Sequence, residues 1–208
     1  MTIRIGDTAP DFHCDTQLGP LDFHAWAQGH WTFFFSHPAD YTPVCTTEMA
    51  RTAALAQEFA AREVEPLGLS TDGVADHRAW IADVNAVKGV DLRFPIVADT
   101  DLAIARLYGM IHPNESGTAA VRSVFIIDPA LKVRLTMTYP MSVGRNFAEI
   151  LRVLDALQVG DARRVATPAD WQPGGDVIIP PSVGADEAAT LFPQGWTEHR
   201  PYLRTLTL

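Results

Sequence analysis

The chain has 208 residues, 47 % of them hydrophobic and 20 % charged, the balance of an ordinary soluble globular protein long enough to bury a sizeable core. Sixteen basic against twenty-five acidic side chains give a formal charge of −9, which disfavours non-specific binding to nucleic acid or to an anionic membrane surface. Two cysteines, Cys14 and Cys45, are too few for the disulfide framework of a small secreted domain. They are not a CxxC pair either, because Thr46, Thr47 and Glu48 follow Cys45.

The opening stretch MTIRIGDTAPDF has no apolar run behind a basic start, and no segment approaches the roughly eighteen apolar residues of a membrane span. The expectation is a cytoplasmic protein with no signal peptide and no membrane contact. The segment Asp11–Asp15, which holds Cys14, reads as an early strand with a half-buried thiol. Trp31–Phe35 reads as a short strand buried on both faces. A helix is predicted across roughly 43–60, then a strand over Val64–Leu69. Asp76–Val87 is helical, with Trp80, Ile81, Val84 and Val87 on one face. Phe94–Val97 is a further strand and Leu102–Tyr108 a short helix. Val121–Ile127 and Val133–Tyr139 flank Asp128-Pro129-Ala130-Leu131 and read as a hairpin. Asn146 and Glu149 form a variant capping box that opens a helix burying Phe147, Ile150, Leu151, Leu154 and Leu157. Strands alternating with helices, then a hairpin and a closing helix, predict an α/β sandwich with a mixed sheet.

After about Thr167 the composition shifts to Pro168, Pro173, Pro180, Pro181, Pro193 and Pro201, with only brief apolar pieces such as Val177-Ile178-Ile179. Such a segment is expected to bury no core of its own. It reads either as a tail packed on its own domain or as an arm lying on a second subunit. The seven histidines are scattered, with no HExxH and no Cys/His cluster at metal spacing. His13 beside Cys14 is the nearest approach to a metal pair, so neither metal nor cofactor is expected.

The chemistry concentrates at Ser36-His37-Pro38-Ala39-Asp40-Tyr41-Thr42-Pro43-Val44-Cys45-Thr46-Thr47-Glu48. This segment follows a buried strand and precedes a helix, at the strand end where α/β proteins place their sites. Thr42 suits the N-cap, and Pro43 the first helical position, where a missing N–H costs nothing. Cys45 then falls at the third position, over the unpaired N–H groups and the positive end of the helix dipole. The thiolate is the nucleophilic form of cysteine, and helix N-termini and nearby cations favour it. The competing reading is a small buried hydrophobe that happens to start a helix.

SHPADYTPVCTTE resembles the active-site signature of peroxiredoxins, the AhpC/TSA superfamily, and FFSHP with TPVCTTE looks like their one-cysteine, peroxiredoxin-6-type subgroup. DHRAWIADVNA, LYGM, AVRSVFIIDP, YPMSVGRNFAEILRVLDALQ, RVATPADW and LFPQGW extend the likeness over nearly the whole chain. The resemblance implies a thioredoxin-like peroxidase domain over 1–166 and a C-terminal extension over 167–208 that contributes to a homodimer or larger homo-oligomer. Pro38, Thr42 and Cys45 match the family's PxxxTxxC pattern. By that likeness Cys45 is the peroxidatic residue, the Thr42 hydroxyl bonds the thiolate and peroxide, and Pro38 shields the sulfur. Arg122 matches the active-site arginine, whose fixed fork of donors suits thiolate and peroxide alike. His37 matches the subgroup's histidine close to the sulfur, and Glu48 and Arg145 match a supporting carboxylate and arginine. The implied activity is reduction of hydrogen peroxide and organic hydroperoxides through a sulfenic acid, with an external thiol as reductant. A non-enzymatic redox sensor or chaperone switched by Cys45 oxidation is the alternative. Some subgroup members carry a phospholipase site. Here its histidine is kept as His24, but the serine position reads Gly29-His30-Trp31 and the aspartate position Ala130, so that activity is not expected.

Overall fold

The computed structural model describes residues 3–208. Two compact units divide the chain, one running to Phe147 and one covering Ala148–Leu208. In the first unit the elements follow as β1 (His13–Thr16), β2 (Gly19–Asp22), α1 (Phe23–Ala27), β3 (Trp31–Ser36), α2 (Pro43–Ala54), α3 (Ala56–Ala60), β4 (Val64–Ser70) and α4 (Val74–Lys88). After them come β5 (Ile96–Ala98), α5 (Ala103–Leu107), β6 (Arg122–Ile127) and β7 (Val133–Tyr139). Among the described residues these strands form one seven-stranded sheet in the order β2-β1-β5-β4-β3-β6-β7. β3, β4 and β5 run parallel, while β1 and β6 join them antiparallel. This is the mixed sheet flanked by helices that the alternation of patterns predicted.

β3 sits in the middle because its side chains are apolar on both faces. All six of its residues are buried. Successive side chains of a strand point to opposite faces. Phe34 accordingly joins a cluster with Phe23, Ile104, Tyr108 and Phe125, under α1 and α5. Phe33 and Phe35 stack on each other at 4.5 Å on the opposite face, where Phe33 also meets Phe59 of α3 and Phe147. Burying an aromatic ring contributes about 1.5–3 kcal/mol, so this strand alone anchors both layers. The β6–β7 hairpin turns at Leu131, which takes a left-handed φ of 63°, and its register shifts between Ile126 and Ile127.

The predicted helix across 43–60 is interrupted. Leu55 leaves helical geometry (φ −96°, ψ 13°), and its N–H is shared between the Arg51 and Thr52 carbonyls. On α4 the buried face is His77, Trp80 and Val84. Ile81 is only half-buried, and Val87 is 73 % exposed, lining an open groove with Tyr41, Thr46 and Trp80. α4 then stops at Gly89, whose φ of +64° is the left-handed conformation a helix terminus favours and glycine adopts without strain.

The second unit holds most of α6 (Phe147–Arg163), then β8 (Val177–Ile179), α7 (Ala185–Leu191), β9 (Thr197–Arg200) and β10 (Leu203–Leu206). Within α6, Phe147, Ile150 and Leu154 are buried as expected, whereas Leu151 and Leu157 are half-buried. The expectation that the proline-rich segment buries no core is overturned. β8, β10 and β9 form an antiparallel sheet, and Trp171, Val177, Ile179, Val183, Phe192 and Leu206 cluster with Ala156 and Val159 of α6. The core assembles because the apolar pieces, each too short alone, are brought together by strand pairing across some thirty residues. The Trp171 indole N–H donates to the Gly175 carbonyl at 3.1 Å, so this large ring is buried without an orphaned donor.

Candidate active site

β3 ends at Ser36, and the chain leaves the strand's carboxyl end through His37–Tyr41 before α2 begins. Tyr41 has a left-handed φ of 56°, uncommon for a residue with a side chain, and it reverses the chain into the helix. Thr42 is the N-cap and Pro43 opens the helix, as the sequence predicted. One detail differs. The Thr42 hydroxyl makes no capping bond and instead donates to the Ala39 carbonyl at 2.9 Å, holding the loop closed. That geometry gives it no bond to the sulfur in this state.

Cys45 lies in the first turn of α2, fully buried, with Pro38 buried in the same loop. An Nη1 of Arg122, from the start of β6, stands 3.4 Å from its sulfur. The same nitrogen donates to Glu48 Oε2 at 2.7 Å, and the far side of the guanidinium donates to the Met141 carbonyl through Nε at 2.9 Å and Nη2 at 2.7 Å. Arg145 clasps Glu48 from the other side, with Nη2 on Oε2 at 2.6 Å and Nε on Oε1 at 3.0 Å. Its Nη1 donates to the Ser36 carbonyl at 2.8 Å, and its guanidinium stacks 4.8 Å over the Phe35 ring.

Charge counting gives this cluster its character. Two guanidinium groups, charged at any working pH, share one carboxylate in a buried site. Burial opposes ionisation of Glu48, but Arg145 first and Arg122 after it outweigh that cost, so the carboxyl is held below its ordinary range. One positive charge remains uncompensated beside the sulfur. With the start of α2 beneath it and this surplus beside it, the sulfur faces positive charge from two directions. A buried cysteine sulfur with a forked donor alongside suits two-electron attack on a small polar oxidant.

His37 is buried beneath the same loop. The structure gives it a different immediate partner from the sulfur: its Nε2 lies 2.7 Å from Asp40 Oδ1, while Asp40 Oδ2 lies 2.6 Å from Nδ1 of His77 on α4. Asp40 and His77 were not among the sequence-predicted site residues. The available signal was a histidine on the otherwise apolar His77, Trp80, Val84 face of a helix. Of the predicted set, Cys45, Arg122, Glu48 and Arg145 form one hydrogen-bonded cluster. Pro38, Thr42 and His37 belong to the loop around it. His24 is engaged elsewhere, with Nε2 2.7 Å from the Ala9 carbonyl.

Comparison with known proteins follows the same lines. The model of the AhpC/TSA family matches residues 5–136, and that of the C-terminal domain of 1-Cys peroxiredoxin matches residues 156–195. A 1-Cys peroxiredoxin of Dictyostelium discoideum is 47 % identical over 202 residues, covering 97 % of this chain and 84 % of its own. Peroxiredoxin-6 of Rattus norvegicus is 45 % identical over 215 residues, covering 97 % and 96 %. A solved structure of the yeast mitochondrial 1-Cys peroxiredoxin, concerned with thiol resolution via glutathione/thioredoxin systems, superimposes with a TM-score of 0.93 at 46 % identity, covering 99 % of this chain and 100 % of that one. The sheet and helices are thus those of the thioredoxin-like fold as peroxiredoxins carry it. With both family models matched in order and nearly full-length likeness, the chain belongs to the AhpC/TSA family, in its 1-Cys peroxiredoxin branch, and is a thiol-dependent peroxidase.

Proposed function

We propose that Cys45 is the peroxidatic residue. Its thiolate attacks the terminal, hydrogen-bearing oxygen of a hydroperoxide. The S–O bond forms as the O–O bond breaks, sulfur is oxidised by two electrons, and the departing alkoxide or hydroxide takes a proton from solvent. Arg122 donates both to the sulfur anion and to the peroxide oxygens, so it acts as charge builds on the leaving oxygen. Glu48 and Arg145 fix the Arg122 fork. Thr42 turns its hydroxyl to the peroxide when one enters, and Pro38 keeps water off the sulfur. His37 accepts a hydrogen bond from the O–H of the attacked oxygen, which keeps its hydrogen as it moves to sulfur. The observation that carries this reading is the 3.4 Å approach of a buried guanidinium to a buried sulfur in the first turn of a helix.

The sulfenic acid is released by an external thiol, and the yeast relative's resolution through glutathione/thioredoxin systems supports small thiols or thioredoxin-type proteins as donors. The extension over 167–208 serves as a dimer arm; in support, residues 156–195 match the C-terminal domain of 1-Cys peroxiredoxin. The working compartment is the cytoplasm. Among the described residues no helix is long and apolar enough to cross a membrane. The test is peroxide consumption with a panel of donors including glutathione and thioredoxin. Many equivalents consumed per chain are expected. Consumption that stops after one equivalent with every donor would instead make Cys45 a redox sensor.

A further inference from the structure

Behind the loop that carries the site, His37, Asp40 and His77 form a network closed to solvent, with side-chain exposures of 0 %, 1 % and 0 %. Its hydrogen-bond valences are constrained. An ionised carboxylate has no hydrogen to give, so each ring nitrogen that faces Asp40 carries one. Asp40 is ionised: burial opposes its charge, but the hydrogen bonds from His37 and His77 outweigh that and hold its carboxyl below the usual range. Burial pushes His37 towards its neutral form, against the pull of Asp40, with the charges of His77 and Arg145 adding to the push. A neutral His37 with its hydrogen on Nε2 has a bare lone pair on Nδ1. Among the described residues that Nδ1 is buried and has no hydrogen-bond partner.

The frame around the network is rigid. The His37 N–H donates to the Leu69 carbonyl at 2.9 Å, and the Asp40 N–H to Asp72 Oδ2 at 2.8 Å. The Trp80 ring covers the His37 ring at 5.2 Å. Arg145, which holds Glu48 beside the Arg122 guanidinium that faces Cys45, also acts electrostatically on His37. An unpartnered buried acceptor costs free energy unless something satisfies it, so such a group is best explained by a donor that arrives and leaves.

We propose that Asp40 and His77 are positioning residues that lock His37 in the Nε2–H tautomer, leaving Nδ1 to accept the O–H of a bound hydroperoxide and then of the Cys45 sulfenic acid. The hydrogen is the same one throughout, because the attacked oxygen keeps it as it moves to sulfur. His77 matters because it occupies the second carboxylate oxygen and keeps Asp40 ionised and turned towards His37. This inference rests on the peroxidatic role of Cys45 for its meaning, but the tautomer is observable without any turnover.

The first measurement is long-range proton–nitrogen correlation NMR on the reduced full chain with nitrogen-labelled histidine. His37 should show a protonated Nε2 and a pyridine-like Nδ1 at neutral pH. An Nδ1–H tautomer or an imidazolium would overturn the proposal, whatever the peroxidase activity. The second is a double-mutant cycle on the stopped-flow rate of Cys45 oxidation. Asp40→Asn should slow oxidation at least fivefold in the parent and less than twofold in a His37→Ala background; equal losses in both would reduce Asp40 to a structural role. If Asp40→Asn does not fold, His77 provides the same test. His77→Asn keeps an N–H near the Nδ1 position and should retain most of the rate that His77→Ala loses, and equal rates for the two would sink the proposal. Loss of turnover in wild type, or its survival in Cys45→Ser, would instead strike at the peroxidatic reading and leave the NMR result standing.

Discussion

Cys14 and Cys45 are both buried, yet their surroundings are opposite in sign. Cys14 sits on β1, its sulfur 3.7 Å from the Leu21 carbonyl, with Asp15, Asp99 and Asp22 as its charged neighbours. Burial first, and those three carboxylates after it, push its thiol up to about 12. Cys45 has a helix start beneath it and the Arg122 guanidinium beside it. Solvent exposure therefore does not tell the two thiols apart, whereas the charges facing each sulfur do. The two also lie on different sides of the sheet. Cys14 packs in the Phe34 cluster, whereas the Arg145–Glu48 pair beside Cys45 lies over Phe35 on the other face.

The sharpest break in this contrast removes the sulfur proposed to react. Cys45→Ser should abolish peroxide reduction while leaving the unfolding transition near that of wild type, since the two side chains are nearly isosteric. A serine variant that kept more than a few per cent of turnover would end the case for Cys45.

Next in size is the carboxylate that holds the two guanidinium groups together. Glu48→Gln leaves buried, unneutralised positive charge, which costs about 3 kcal/mol of stability, or a Tm lower by roughly 6–12 °C. The pH dependence has a definite sign. Because the folded Glu48 carboxyl lies below its ordinary 4.5, its contribution is present above that value and is lost as pH falls through the lower folded one. Thermal unfolding should therefore show wild type and Glu48→Gln converging below about pH 4.5. A gap that stayed constant into the acid range would deny Glu48 its charge-pairing role.

Removing the cation itself is a smaller change, because Arg145 stays. Arg122→Ala should slow sulfenic acid formation at least about tenfold, equivalent to ~1.4 kcal/mol of barrier. Arg122→Lys keeps the charge but cannot reproduce the fork to Glu48 and the Met141 carbonyl, so an intermediate rate is expected. Stopped-flow oxidation at the wild-type rate in Arg122→Ala would remove it from contact with the reaction.

These effects fall on residues of unequal visibility in the sequence. Trp31–Phe35 announced a strand buried on both faces because an apolar run of that length has to be covered on both sides. The Thr42-Pro43 start located Cys45 in its helix because capping preferences are local. Glu48 and Arg145 lie 97 residues apart and Arg122 74 from Glu48, so nothing local brings them together; family likeness identified them. The Asp40 bridge between His37 and His77 escaped notice for the same reason, since a carboxylate shared across 37 residues leaves no periodic trace. The break at Leu55 carries no glycine or proline to mark it. In the second unit the proline-rich stretch concealed a core, because proline density reports on helices and ladders, not on which short strands later pair.

The smallest expected effect lies at the other pole of the contrast. Resolving a sulfenic acid within the chain needs a second thiolate able to reach it, and attack requires the anion. A Cys14 thiol raised to about 12 presents a thiolate fraction of only about 10⁻⁵ at neutral pH. The sheet also stands between the two sulfurs, with Phe34 and Phe35 filling its opposite faces. Bringing the sulfurs within disulfide distance would require β1 to leave the sheet, giving up its pairing with both β2 and β5. Cys14→Ser should thus keep donor-dependent turnover within about twofold of wild type, and excess peroxide without donor should drive Cys45 on to sulfinic acid. Non-reducing electrophoresis with peptide mass spectrometry after one equivalent of peroxide decides the matter. Sulfenic or sulfinic Cys45 with an intact Cys14 thiol is the expected product, whereas a stoichiometric Cys14–Cys45 disulfide, within or between chains, would make Cys14 the resolving residue and undo the contrast between the two sulfurs.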